Sequence, residues 1–182
     1  QALVASLAGG TVEADGLRFA DTQRLADIEG CDLIFLPGGT GAMDVAVDLE
    51  FIGQIQRLAG TARYVTSVCT GSLILGAAGL LKGKRAACHW ASRDLLALFG
   101  AVPDAGRVVR DGNTITGGGV TAGIDFALTV IAELAGVSMA QAIQLAMEYA
   151  PAPPFDAGRP ETAPSEVVER YRAWIAAKAP QR

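Results

Sequence analysis

The sequence has 182 residues, enough for one domain with a substantial core, and 51% of them are apolar against 19% charged. A net charge of −4 with no basic cluster argues against a general affinity for nucleic acid, which needs grouped Lys and Arg to neutralise phosphates. Three cysteines without metal-type spacing argue against a disulfide framework or a metal site and point to reduced thiols in a cytoplasmic protein, and no stretch has the uninterrupted apolar length of a membrane span.

In chain order, residues 1–14 alternate weakly and turn at Gly9-Gly10, which reads as two short strands. No charged start and apolar block mark a signal peptide there, and the opening without Met in mid-sheet leads us to expect a true N-terminus upstream. Residues 31–36 (CDLIFL) form an apolar run of strand length ending in Pro37-Gly38-Gly39, the pattern of a strand covered on both faces. Asp44 opens a helix with Leu49, Phe51, Ile52, Ile55, Leu58 and Ala59 on one stripe. A second buried-type strand spans Tyr64–Val68, followed by a short helix of small apolar residues over 70–78.

Further strand and helix signals follow at 85–88 and 92–99, the helix stopping at Gly100. Asp111-Gly112-Asn113 between runs 108–110 and 114–116 marks a hairpin. After Gly117-Gly118-Gly119 a helix presents Ile124, Ala127, Leu128, Ile131 and Leu134 as its buried side, and residues 139–149 are apolar almost all round, as in an inner helix. A Pro-rich loop over 150–164 leads to a last helix near 165–178 that packs with Val167, Tyr171, Trp174 and Ile175. Strands alternating with helices imply an α/β fold, doubly wound, with a mostly parallel sheet and helices on both faces. There is no internal repeat and no linker, so residues 1–182 read as a single domain.

The most informative stretch is Tyr64-Val65-Thr66-Ser67-Val68-Cys69-Thr70-Gly71-Ser72. A strand stops at Cys69 and a helix begins at once, which projects the side chain from the carboxyl edge of the sheet, where open α/β folds build their sites. Gly71 lets the helix approach the neighbouring strand. Unpaired N–H groups and the helix dipole favour the thiolate there. Pattern alone leaves Cys69 open between this role and a small buried hydrophobe; the Pro37-Gly38-Gly39 turn, whose amides can donate to charge forming beside the thiol, tilts the reading toward the former. Gly117-Gly118-Gly119 is either a third loop at this edge or a tight connection.

Other groups carry less. His89, the only histidine, is either a partner for Cys69 or structural, and Cys31 and Cys88 read as core. Asp125 sits in a first helical turn, where a carboxylate suits the dipole. Glu148 on an inner helix needs a partner or a function. Gly38-Gly39-Thr40-Gly41 lacks the lysine of a P-loop.

Four phrases resemble the ThiJ/PfpI superfamily, whose fold is flavodoxin-like or glutamine-amidotransferase-like: Leu36-Pro37-Gly38-Gly39-Thr40-Gly41, the cysteine phrase from Arg63 to Ser72, the run from Thr116 to Phe126, and the Pro-rich run from Glu148 to Gly158. The last narrows the resemblance to the isocyanide hydratase branch. The resemblance implies Cys69 as nucleophile, with the backbone amides of Gly39 and Thr70 forming an oxyanion-type pocket and the Val120 amide close to the thiolate. It implies hydration of a small-molecule isocyanide to an N-substituted formamide without metal or cofactor, and a homodimer. It also places an acidic partner of the cysteine on a first strand and helix that would precede Gln1. The same elbow would serve a thiol enzyme acting on glyoxals, or a redox or ligand sensor; the end of the chain soon after Lys178 leaves no room for a helix-turn-helix module.

Overall fold

The computed structural model describes residues 1–14 and 16–178; residues 179–182, the end of the single domain expected over 1–182, lie outside the described residues. In chain order the elements are β1 (Ala5–Ser6), β2 (Gly10–Ala14), β3 (Leu17–Arg24), β4 (Leu33–Leu36), α1 (Ala42–Val45), α2 (Leu49–Ala59), β5 (Tyr64–Val68), α3 (Gly71–Ala77) and β6 (Arg85–Ala86). A 3₁₀ helix over Arg93–Phe99 is followed by β7 (Val102–Pro103), β8 (Val108–Asp111), β9 (Thr114–Gly117), α4 (Ala122–Ala135), α5 (Val137–Ala146) and α6 (Ser165–Lys178).

The main sheet has the order β4-β5-β9-β8; β4, β5 and β9 run parallel and β8 is antiparallel to β9. Side chains along a strand alternate between faces, and the two hydrophobic clusters follow that alternation. Ile34, Leu36 and Val65 point to the face covered by α2, α3 and the 3₁₀ helix, where Ile55, Leu73, Leu75, Leu81 and Leu96 complete the larger cluster. Tyr64, Val68 and Ile115 point to the face covered by α4, where Phe126 joins them and stacks on Phe35. The architecture is therefore the expected flavodoxin-like α/β sandwich, with helices on both faces.

β1, β2 and β3 form a separate small sheet, parallel between β1 and β3 and antiparallel between β2 and β3. Arg57 on α2 ties it to the main body by donating to the carbonyls of Leu25 and Ile28. The two expected N-terminal strands are present, but β3 carries no sequence signal: only Thr22 of its eight residues is buried, so the apolar alternation of a half-buried strand is missing.

Several expectations are corrected. The helix expected from Asp44 divides into α1 and α2, and the cap of the longer piece is Asp48, whose carboxylate accepts from the Phe51 N–H at 3.0 Å. The strand expected over 85–88 ends at Ala86 and pairs only with β7. On α4 the buried positions are Ala122 and Phe126 rather than Ala127 or Leu134, which are exposed. That helix is apolar on most faces, so periodicity does not choose one; the sheet does, through Phe126 and through Glu133, which accepts from the Tyr64 hydroxyl at 2.6 Å. The Tyr64 hydroxyl and then Arg110 hold the Glu133 carboxyl below the usual carboxylate range. The expected inner helix, α5, lies outside α4 with Ala140 as its only buried residue, and its Leu145 is 82% exposed. On α6, Val167, Trp174 and Ile175 stay largely exposed, and the aromatic contacts run through Tyr171.

Candidate active site

Cys69 follows directly on β5, buried at all five of its positions, and directly precedes Thr70, the cap residue of α3. Its backbone is left-handed, with φ +60°, a conformation that costs a residue with a Cβ about 1 kcal/mol or more. Two bonds enforce it: the Cys69 N–H donates to the carbonyls of Gly117 at 3.0 Å and Gly118 at 2.8 Å. The thiol carrier is thus fastened to the end of β9, and the side chain is half-buried rather than sealed in.

Two glycines beside it, Gly38 and Gly71, have no space for a side chain. A Cβ on Gly71 would stand 2.2 Å from the Leu36 carbonyl oxygen, so α3 starts in backbone contact with the end of β4. A Cβ on Gly38 would stand 2.7 Å from the Cys69 Cβ and 2.8 Å from the Thr70 nitrogen. The Pro37-Gly38-Gly39 turn therefore lies against the elbow, as its sequence position implied. Gly39 and Thr70 are brought together, but the Gly39 N–H donates to Thr70 Oγ1 at 3.0 Å, and that hydroxyl donates to the Gly39 carbonyl at 3.1 Å. Val120 lies two residues beyond Gly118 on the Gly-rich loop, with its side chain 78% exposed; the loop touches Cys69 through Gly117 and Gly118.

Beneath the elbow runs a set of hydroxyls that the sequence reading does not find. Ser67 and Ser72 share a hydrogen bond of 2.8 Å, Ser72 Oγ donates to the Ala87 carbonyl at 2.6 Å, and the Ala87 N–H donates to Thr116 Oγ1 at 2.8 Å. All three hydroxyls are buried. Ser and Thr inside strands and small helices look like gaps in an apolar pattern; only their mutual facing reveals the role, which is to lock β5, α3 and β9 around the nucleophile carrier.

The Gly-rich loop has its own clamp. Arg107 accepts the Gly118 N–H at its carbonyl, 2.9 Å, while its guanidinium donates to Asp125 through Nε at 2.8 Å and also reaches Thr121. The Tyr149 hydroxyl completes the set on Asp125. Asp125, read as a dipole partner, thus acts through Arg107. Glu148 is not inside a helix among apolar neighbours: it is exposed just beyond α5 with φ +49°, so its carboxylate needs no buried partner.

His89 belongs to an aromatic group with Trp90 and Tyr171. Its Nδ1 accepts from the Ala91 N–H at 3.3 Å, burial lowers its pKa, and among the described residues it makes no hydrogen bond to Cys69. The structural alternative for His89 fits this placement. Cys88 is buried, its thiol pushed up to about 12 by burial and then by the neighbouring Cys69 charge. All three thiols are free. Beside the Gly-rich loop lies a cavity of about 230 Å³, and no helix among the described residues is long and apolar enough to cross a membrane.

Residues 2–133 match the DJ-1/PfpI family. The chain belongs to that family. The isonitrile hydratase of Pseudomonas putida is 58% identical to it over 157 residues, which cover 86% of this chain and 69% of the hydratase. An HTH-type transcriptional regulator of Pseudomonas aeruginosa is 33% identical over 134 residues, covering 71% of this chain and 36% of the regulator. The crystal structure of a ThiJ/PfpI family protein from Pseudomonas syringae superposes with a TM-score of 0.91 at 44% identity, over 96% of this chain and 74% of that one.

Proposed function

We propose that this DJ-1/PfpI chain hydrates isocyanides to N-substituted formamides, with Cys69 as the nucleophile. The observation that carries the reading is the 58% identity to an isonitrile hydratase; the elbow supplies a chemistry to match. The thiolate of Cys69 attacks the terminal isocyanide carbon, forming the S–C bond, and that carbon takes a proton to give a thioimidate. Water adds to the same carbon, the S–C bond breaks, Cys69 leaves as thiolate and the nitrogen keeps a proton. One water is consumed, no electron changes hands, and one difficult addition becomes two easier steps.

The amides of Thr70 and Val120 are the proposed donors to charge developing on the substrate, together with the Gly39 amide once it exchanges the Thr70 hydroxyl for substrate. No metal or cofactor enters this course. A reducing cytoplasm suits an enzyme that depends on a free thiol. The homodimer belongs to the same proposal, supported by the exposed apolar side chains of α5.

The test is direct. Purified protein with benzyl isocyanide should yield N-benzylformamide, followed by NMR, and Cys69→Ser should lower kcat/KM by roughly 10³-fold or more with an unchanged circular dichroism spectrum. Full activity in the Ser variant would overturn the covalent role. Consumption of methylglyoxal in place of any isocyanide would overturn the substrate class in favour of a glyoxal enzyme.

A further inference from the structure

The cavity beside the Gly-rich loop brings together four segments: the stretch after β6 with Cys88, His89 and Arg93, the turn at Arg107, the Gly-rich loop at Val120, and the Pro-rich strap at Arg159 to Glu161. At about 230 Å³ it exceeds the ~150 Å³ that accommodates benzene. Three of its lining residues are arginines, which stay charged at any physiological pH. They are unequally compensated. Arg107 is saturated by Asp125. Arg93, with only 21% of its side chain exposed, meets a single carboxylate among the described residues, Glu161, at 3.5 Å, the long end of hydrogen bonding. Arg159 has no acidic partner among the described residues. Since Asp125 offsets Arg107 and Glu161 offsets Arg93, one positive charge is left over. No buried side-chain polar atom among the described residues lacks a partner, so the Arg93 N–H groups that Glu161 does not engage open to solvent, where an anionic ligand can replace water.

Cys69 does not itself line the cavity, but its neighbours do. Gly118, part of its wall, accepts from the Cys69 N–H. Cys88, also in the wall, senses both the Cys69 charge and the Arg93 charge. Trp90 and Pro160 add aromatic and apolar surface to the lining. His89, kept from protonation by burial, adds no charge near neutral pH.

We propose that this cavity is a carboxylate-binding subsite in which Arg93 and Arg159 hold an anionic group of the substrate, so that the isocyanides hydrated at Cys69 carry a carboxylate. The proposal rests on the hydratase reading for its substrate class, while the anion subsite rests on the cavity alone. A planar carboxylate suits two-point recognition by guanidinium, and a single surplus charge suits a monoanion better than a doubly charged phosphate.

Two measurements separate the subsite from the chemistry. In the first, Cys69 is alkylated with iodoacetate or iodoacetamide and followed by peptide mass. Arg159→Met, a change at an exposed position, and Arg93→Met should each lower the iodoacetate-to-iodoacetamide rate ratio by at least about fivefold at low ionic strength. In the second, wild-type protein should show kcat/KM for isocyanoacetate at least about tenfold above that for its methyl ester, a preference that Arg159→Met removes while ester turnover persists. An unchanged alkylation ratio in Arg159→Met, or equal and measurable turnover of acid and ester by the wild type, overturns the proposal. A responsive ratio with isocyanoacetate, its ester and benzyl isocyanide all left unconsumed upholds the anion subsite and overturns the hydratase reading.

Discussion

Gly38 shows how little freedom the elbow has at the scale of single residues. A methyl group there would lie inside contact distance of the Cys69 side chain and the Thr70 amide at once, so Gly38→Ala must push the turn and the nucleophile apart. We expect a stability loss of about 1–3 kcal/mol by urea denaturation and a drop of at least about tenfold in isocyanide turnover. Equal activity in the variant would mean that the turn takes no part in positioning Cys69. Cys88 offers a contrast in the same neighbourhood. Its thiol is raised to about 12, so at pH 8 iodoacetamide should label Cys69 and spare Cys88 until the protein unfolds. A thiol raised from about 8.5 in the unfolded chain contributes stability that is complete below that value and is lost as pH rises toward 12. The stability difference between wild type and Cys88→Ala should therefore shrink between pH 8 and pH 11.

At the scale of elements, α2 depends on a cap that the sequence reading placed four residues too early. Asp48→Ala should cost about 1 kcal/mol in urea denaturation, whereas Asp44→Ala removes no cap of α2 and should cost less. The elements legible in the sequence were those whose pattern has one interpretation: β5, fully apolar or small and enclosed; the hairpin of β8 and β9 around Gly112; and the short helix α3. The elbow was legible for the same reason, since a strand ending at Cys69 and a helix starting at Thr70 leave few other geometries. What escaped was decided by tertiary neighbours. β3 is held by pairing rather than by an apolar face. α4 and α5 are apolar on most faces, and only tertiary packing determines that Phe126 turns inward while Leu145 turns out. The Ser67, Ser72 and Thr116 hydroxyls and the Arg107 clamp join residues from separate elements, and no local spacing announces them.

For the whole molecule, the outward apolar side chains of α5 bear on assembly. Val137, Met139 and Leu145 are each more than half exposed, and an apolar surface of this kind is commonly covered by a second subunit. Light scattering should give the wild-type protein twice the chain mass, and Leu145→Glu the chain mass; a wild-type value equal to one chain would overturn the homodimer. Because β5 is flanked by β4 and β9 and covered from above and below, its amide protons, and that of Cys69, should exchange with deuterium only when the entire fold opens. The thiol's mounting then cannot soften ahead of the rest: on heating, the capacity for chemistry and the native state should vanish in one transition, and any agent that tunes the reaction must act on the sulfur or the surrounding loops.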